Sequence, residues 1–94
     1  MSINFTTRVF KEGRIFVAHA IELDVSSCGG SRERAVANLK EAVRLFLEEA
    51  EKMGTLQRIL EEAGYHRGKR SLAAPKTISI QRLSLSLPLA HAKA

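Results

Sequence analysis

SRERAVANLKEAVRLFLEEAEKMG, residues 31–54, decides the fold. Within it Val36, Leu39, Val43, Phe46, Ala50 and Met53 recur at steps of 3, 4, 3, 4 and 3. Side chains at that spacing line one side of an α-helix, so the stretch predicts an amphipathic helix of about six turns. Ser31 is suited to cap its start, and Glu33 sits in the first turn, where the helix dipole favours a negative charge. Gly54 is suited to the left-handed stop.

Upstream, residues 3–10 alternate, with Ile3, Phe5 and Val9 on one side and Asn4, Thr6 and Arg8 on the other. Period two describes a strand with one buried face. Lys11-Glu12-Gly13-Arg14 then reads as a tight hairpin, with Gly13 taking a positive φ. The second strand, from about Ile15 to Glu22, is apolar on both faces. Ile15, Val17 and Ile21 share one side; Phe16, Ala18 and Ala20 share the other. Val25 to Gly30 reads as a short third strand ended by two glycines.

Downstream, Thr55 to Gly64 predicts a shorter helix carrying Leu56, Ile59, Leu60 and Ala63, and residues 66–75 a basic loop. Residues 76–87 read as a closing strand, with Ile78 and Ile80 followed by Leu83, Leu85 and Leu87. The phase flips between Ile80 and Leu83, so a bulge is expected near Gln81-Arg82. The expected fold is therefore α+β in the order β-β-β-α-α-β. An antiparallel sheet is covered on one face by one long amphipathic helix, in a single domain over residues 1–87 with a tail at 88–94. One helix shields one face. The two-sided second strand and the closing strand leave apolar surface that a second chain must cover. A homo-oligomer, dimer or tetramer, is expected, with Ile15, Val17, Ile21, Ile78, Ile80, Leu83 and Leu85 at its interface.

Length and composition bound what such a domain does. With 94 residues, 45% of them hydrophobic, the chain has one modest core, and no apolar run approaches the ~18 residues of a membrane span. No secretory signal is read at the N-terminus, and the single cysteine, Cys28, permits no intrachain disulfide. The cytoplasm is the expected compartment. The net charge of +5 is unevenly placed: residues 1–65 carry nine Lys/Arg and ten Asp/Glu, whereas residues 66–94 carry six cations and no acid. The bland reading is a solubilising end. The sharper one is nucleic-acid contact through Arg67, Lys69, Arg70 and Lys76, with Tyr65 as the one stacking neighbour.

Catalytic constellations are missing from the pattern. His19, His66, His91 and Cys28 show no CxxC, HxxxH or HExxH spacing, so no metal and no cofactor is expected. Cys28 before a helix start would need His19 as a base; a small half-buried residue closing a strand is the simpler reading. The carboxylates at 48, 49, 51, 61 and 62 read as solvated helix-surface acids. Gly29-Gly30-Ser31 lacks the spacing of a phosphate-binding loop.

The run Phe16-Val17-Ala18-His19-Ala20-Ile21-Glu22-Leu23-Asp24-Val25-Ser26-Ser27-Cys28-Gly29 resembles a stretch of the HicB antitoxin family. The segment Ala35-Val36-Ala37-Asn38-Leu39-Lys40-Glu41-Ala42, followed by Phe46-Leu47-Glu48, is similar to that family's helix signature. Gly54-Thr55-Leu56 through Glu62-Ala63-Gly64-Tyr65, with the strand expected after it, is similar to a compact subgroup, so the resemblance spans residues 3–87. It implies a partly RNase-H-like sheet-and-helix fold without nuclease activity. It also implies an oligomeric antitoxin that binds and occludes a small HicA-type toxin cleaving messenger RNA. Toxin contact is then expected near His19, Glu22 and Asp24. No separate DNA-binding module is read at the C-terminal end, so direct operon repression is not expected. The competing expectation is a small nucleic-acid-binding or regulatory protein, or a HicB-like protein without a toxin.

Overall fold

The computed structural model describes residues 1–68 and 70–88. Its elements are β1 (Ser2–Ile3), β2 (Thr7–Glu12), β3 (Ile15–Ala20), β4 (Val25–Gly29), α1 (Arg32–Met53), α2 (Leu56–Glu62), β5 (His66–Arg67) and β6 (Ser71–Ala73). The class is α+β, with two three-stranded sheets instead of one. β2-β3-β4 is antiparallel throughout; in β1-β6-β5 the β1–β6 pair is parallel and the β6–β5 pair antiparallel.

Local chemistry explains most of these elements. Gly13, at φ +61°, with Arg14 keeping a negative φ, makes a two-residue turn of the kind whose twist suits antiparallel strands. It sets Glu12 opposite Ile15 and so fixes the register back to Thr7 opposite Ala20. Ser31 Oγ accepts the Arg34 amide at 3.1 Å and starts α1; Gly54, at φ +76°, stops it. Thr55 does not cap α2 by its side chain; its hydroxyl instead donates back to the Ala50 carbonyl at 3.4 Å.

The core lies between α1 and one face of β2-β3-β4. Ala18, Ala20, Ala35 and Leu39 are fully buried, and Val43, Leu23, Leu60 and Tyr65 complete the cluster. Small side chains on both surfaces let the helix come close. Gly29 shows how close: a Cβ there would stand 2.8 Å from the Ala35 amide nitrogen. The helix stripe is displaced from the simple periodicity. Leu47 packs on the core, whereas Phe46 and Met53 remain 36% and 67% exposed.

Three expectations are corrected. The first strand is broken at residues 4–6, because Asn4 is spent elsewhere. Its amide donates to the Leu72 carbonyl at 3.3 Å, its side-chain oxygen accepts the Ala74 amide at 2.8 Å, and its carbonyl accepts the Tyr65 hydroxyl at 2.7 Å. The basic loop holds a short hairpin, β5 and β6, closed by the Gly68 amide on the Ser71 carbonyl at 2.8 Å. Residues 74–88 form no strand and pair with none of the chain's strands, so no bulge exists at Gln81-Arg82. No helix among the described residues is long and apolar enough to cross a membrane. Residues 89–94 of the expected tail lie outside the described residues.

Candidate functional site

Register sorts the side chains of β2-β3-β4 into two faces. Val9, Phe16, Ala18, Ala20, Val25 and Ser27 face α1. The opposite face has no helix over it and presents three cross-strand rows. Arg8, His19 and Ser26 form one; Phe10, Val17 and Cys28 the next; Glu12 and Ile15 the last. Ile15 is half exposed, at 50%, while Phe10 and Val17 are partly buried by their neighbours. The Arg8 guanidinium lies 4.5 Å from the Phe10 ring centroid, a cation–π contact that covers one side of the ring and leaves a charge beside it.

The open face therefore sets an aromatic–aliphatic row beside a polar one. Arg8 and Phe10 belong to it and escaped sequence reasoning, and Cys28, expected to be half-buried, is exposed on it. The signal that finds them is the Gly13 turn: once Glu12 is set opposite Ile15, the face of every residue in three strands follows.

His19, Glu22 and Asp24 do not act as one group. β3 ends at Ala20, and residues 21–24 form a turn that places Ile21 off the strand and 43% exposed. Asp24 takes φ +54°, a left-handed conformation that aspartate tolerates better than most residues, while its amide donates to the Ala20 carbonyl at 2.8 Å. This bend brings Asp24 Oδ1 to 2.8 Å from His19 Nε2, at the rim of the open face. Glu22 points elsewhere: its two oxygens accept the Thr6 amide and the Thr6 hydroxyl, both at 2.7 Å. Partial burial pushes the Glu22 carboxyl up, but the bonds from the Thr6 hydroxyl and amide outweigh it and hold its pKa below the usual value. Glu22 thus ties the lead into β2 to the end of β3.

Arg67, Arg70 and Lys76 are exposed around the β5–β6 hairpin, and Lys69 lies outside the described residues. Tyr65 cannot serve them as a stacking platform. It is 8% exposed, its hydroxyl is held by Asn4, and burial with the nearby Glu22 carboxylate pushes its pKa up to about 12. Arg67 instead borders a cleft of about 580 Å³ with Met1, Leu60, Glu61, His66 and Leu72. Among the described residues no three His, Cys, Asp or Glu side chains converge.

Ile78, Ile80, Leu83 and Leu85, which belong to no strand, are 95%, 76%, 81% and 83% exposed, and Ile80 borders a cleft with Ile21, whereas Ile15 and Val17 lie on β3. The expected apolar interface is thus divided between a sheet face and an extended segment.

No family model, curated protein or solved structure matches this chain.

Proposed function

We propose that this chain is an antitoxin-like protein-binding domain of the HicB kind, which self-associates and sequesters a small HicA-type toxin that cleaves messenger RNA. The observation that carries the protein-binding part is the uncovered face of β2-β3-β4, where Phe10, Val17 and Cys28 lie beside Arg8 and the His19–Asp24 pair. Water meets apolar side chains on one side of a sheet whose other side is already packed; a partner removes that cost. The toxin-binding part rests on the resemblance at Phe16–Gly29 and Ala35–Glu48, to which the RNase-H-like likeness also belongs.

In this reading Arg8, His19 and Asp24 set orientation, and Phe10, Ile15 and Val17 supply the buried area. Asp24 and Glu12, the carboxylates of this face and its rim, are the groups that would meet a basic, RNA-binding partner. The test is co-expression with the product of an adjacent small basic open reading frame. Co-purification of the two and relief of growth arrest support the reading. Loss of both effects in Phe10→Asp locates them on this face. A chain that neither retains the neighbour nor relieves arrest overturns the toxin-binding part. Salt-sensitive RNA or DNA binding, abolished by Arg67→Ala/Arg70→Ala, would replace it with the nucleic-acid reading.

A further inference from the structure

Residues 77–87 carry the alternation of a strand but join no sheet. Ile78, Ile80, Leu83, Leu85 and Leu87 are 95%, 76%, 81%, 83% and 60% exposed, and among the described residues no backbone hydrogen bond involves this segment. The segment leaves the body past Thr6, Ile21 and Glu22, with which Pro75, Lys76 and Ile80 border an open cleft of about 320 Å³, and the molecule extends to 52 Å along its longest axis. Exposed aliphatics are costly in water, and unpaired amides and carbonyls along such a segment are free to pair with the strand edge of another chain, which would bury the aliphatics at the same time.

The body offers such an edge. The two-residue turn makes Glu12 and Ile15 a hydrogen-bonded pair, so alternation along β3 directs the backbone groups of Phe16, Ala18 and Ala20 toward β4. Those of Ser26 and Cys28 then point outward, to the free edge of β4. Asn38 Nδ2 reaches from α1 to the Cys28 carbonyl at 2.8 Å and so identifies which flank of the helix overhangs that edge. The same arc of α1, about 100° wide at 3.6 residues per turn, carries Ala42, Leu45, Phe46, Glu49 and Met53. Leu45, Phe46 and Met53 are 53%, 36% and 67% exposed. The opposite flank, with Val36 and Leu47, is already packed on the core.

We propose that residues 77–87 of one copy dock as an added strand on β4 of a second copy, beneath the exposed flank of its α1, in reciprocal exchange. The inference rests on the self-association in the proposed function and names its device. A strand in that position has one side under the helix flank, and its other side extends the open face beside the Phe10, Val17 and Cys28 row. That matches a segment with Ile78 and Ile80 on one side and Leu83, Leu85 and Leu87 on the other. Charge agrees: Lys76 and Arg82 are the charged residues of the described segment after 75, and Glu49 stands on the receiving flank.

Cys28, the sole cysteine, lies on β4 and is the probe. A second cysteine is introduced singly at Ser79, Gln81, Ser84 or Ser86 of the full chain, and the protein is oxidised at low concentration. Neighbouring strands hold opposed Cα atoms ~4.5–5.5 Å apart, within disulfide reach. Interchain dimers are expected from one alternate pair, 79 and 81 or 84 and 86, and Cys28→Ser abolishes them. Ile80→Asp/Leu83→Asp, at two exposed sites, is expected to raise the dimer dissociation constant by roughly 100-fold without loss of helix signal. A chain that scatters as a dimer yet forms no interchain disulfide at any of the four positions refutes the exchange and leaves self-association standing. A chain that scatters as a monomer refutes both.

Discussion

Truncating Leu39 to alanine is the sharpest test of the packing. Leu39 is fully buried and the largest side chain so enclosed, and its neighbours in the cluster include Ala18, Ala20 and Ala35. Alanines have no reach with which to close the gap. The helix also cannot settle much nearer the sheet, because Gly29 already brings β4 against Ala35. The cost should therefore fall in the upper part of the range for buried leucines, about 3–5 kcal/mol. Small domains have total stabilities of about 5–15 kcal/mol, so the variant should lose a large share of its margin. With a urea slope of about 1–1.5 kcal/mol per molar, the unfolding midpoint drops by about 2–5 M. The assay is urea denaturation followed by circular dichroism, with both proteins at one concentration, because self-association adds to apparent stability. Met53→Ala is the internal control: that side chain belongs to the periodic stripe but is 67% exposed, and its loss should cost under ~0.5 kcal/mol. A Leu39→Ala cost below ~1 kcal/mol, or equal costs for the two variants, would show that the core lies elsewhere.

Other outcomes follow from the same contacts. Gly29→Ala drives a Cβ to 2.8 Å from a backbone nitrogen and should destabilise by ~1–3 kcal/mol, read as a fall in the thermal midpoint. Tyr65 is the single tyrosine, so a phenolate absorbance titration reports it alone: the folded protein should ionise near pH 12 and the urea-unfolded chain near the ordinary 10. Because the folded pKa is the raised one, that stabilisation is whole below pH 10 and disappears as pH climbs through 12; a folded-state titration at 10 contradicts it. Glu22 is the reverse case. Its folded pKa is depressed, so its contribution is present above the ordinary value of 4.5 and disappears as pH falls through the folded pKa. Glu22→Gln should flatten acid unfolding below pH 4.5, and an unchanged acid limb would show that the Thr6 bonds do not matter.

Much of the fold is legible in the sequence because local chemistry dictates it. Ser31 and Gly54 bracket α1, Gly13 makes the hairpin, and Gly29-Gly30 end β4. What escaped depends on contacts distant in the chain. The break after Ile3 is caused by Asn4 serving Leu72, Ala74 and Tyr65, and no local pattern announces it. Alternation over 76–87 reads as a strand, yet a strand requires a neighbour, and within the chain this segment pairs with none. The site was legible in part. His19 and Asp24 do meet, whereas Glu22 is turned inward by Thr6, and Arg8 and Phe10 emerge from register alone.

The molar mass in solution, measured by light scattering at micromolar concentration, bears most directly on the claim that a second chain covers the open sheet face and the extended segment. The account predicts at least twice the mass of one chain, falling toward one chain in Ile80→Asp/Leu83→Asp. A single-chain mass for the unaltered protein would contradict it.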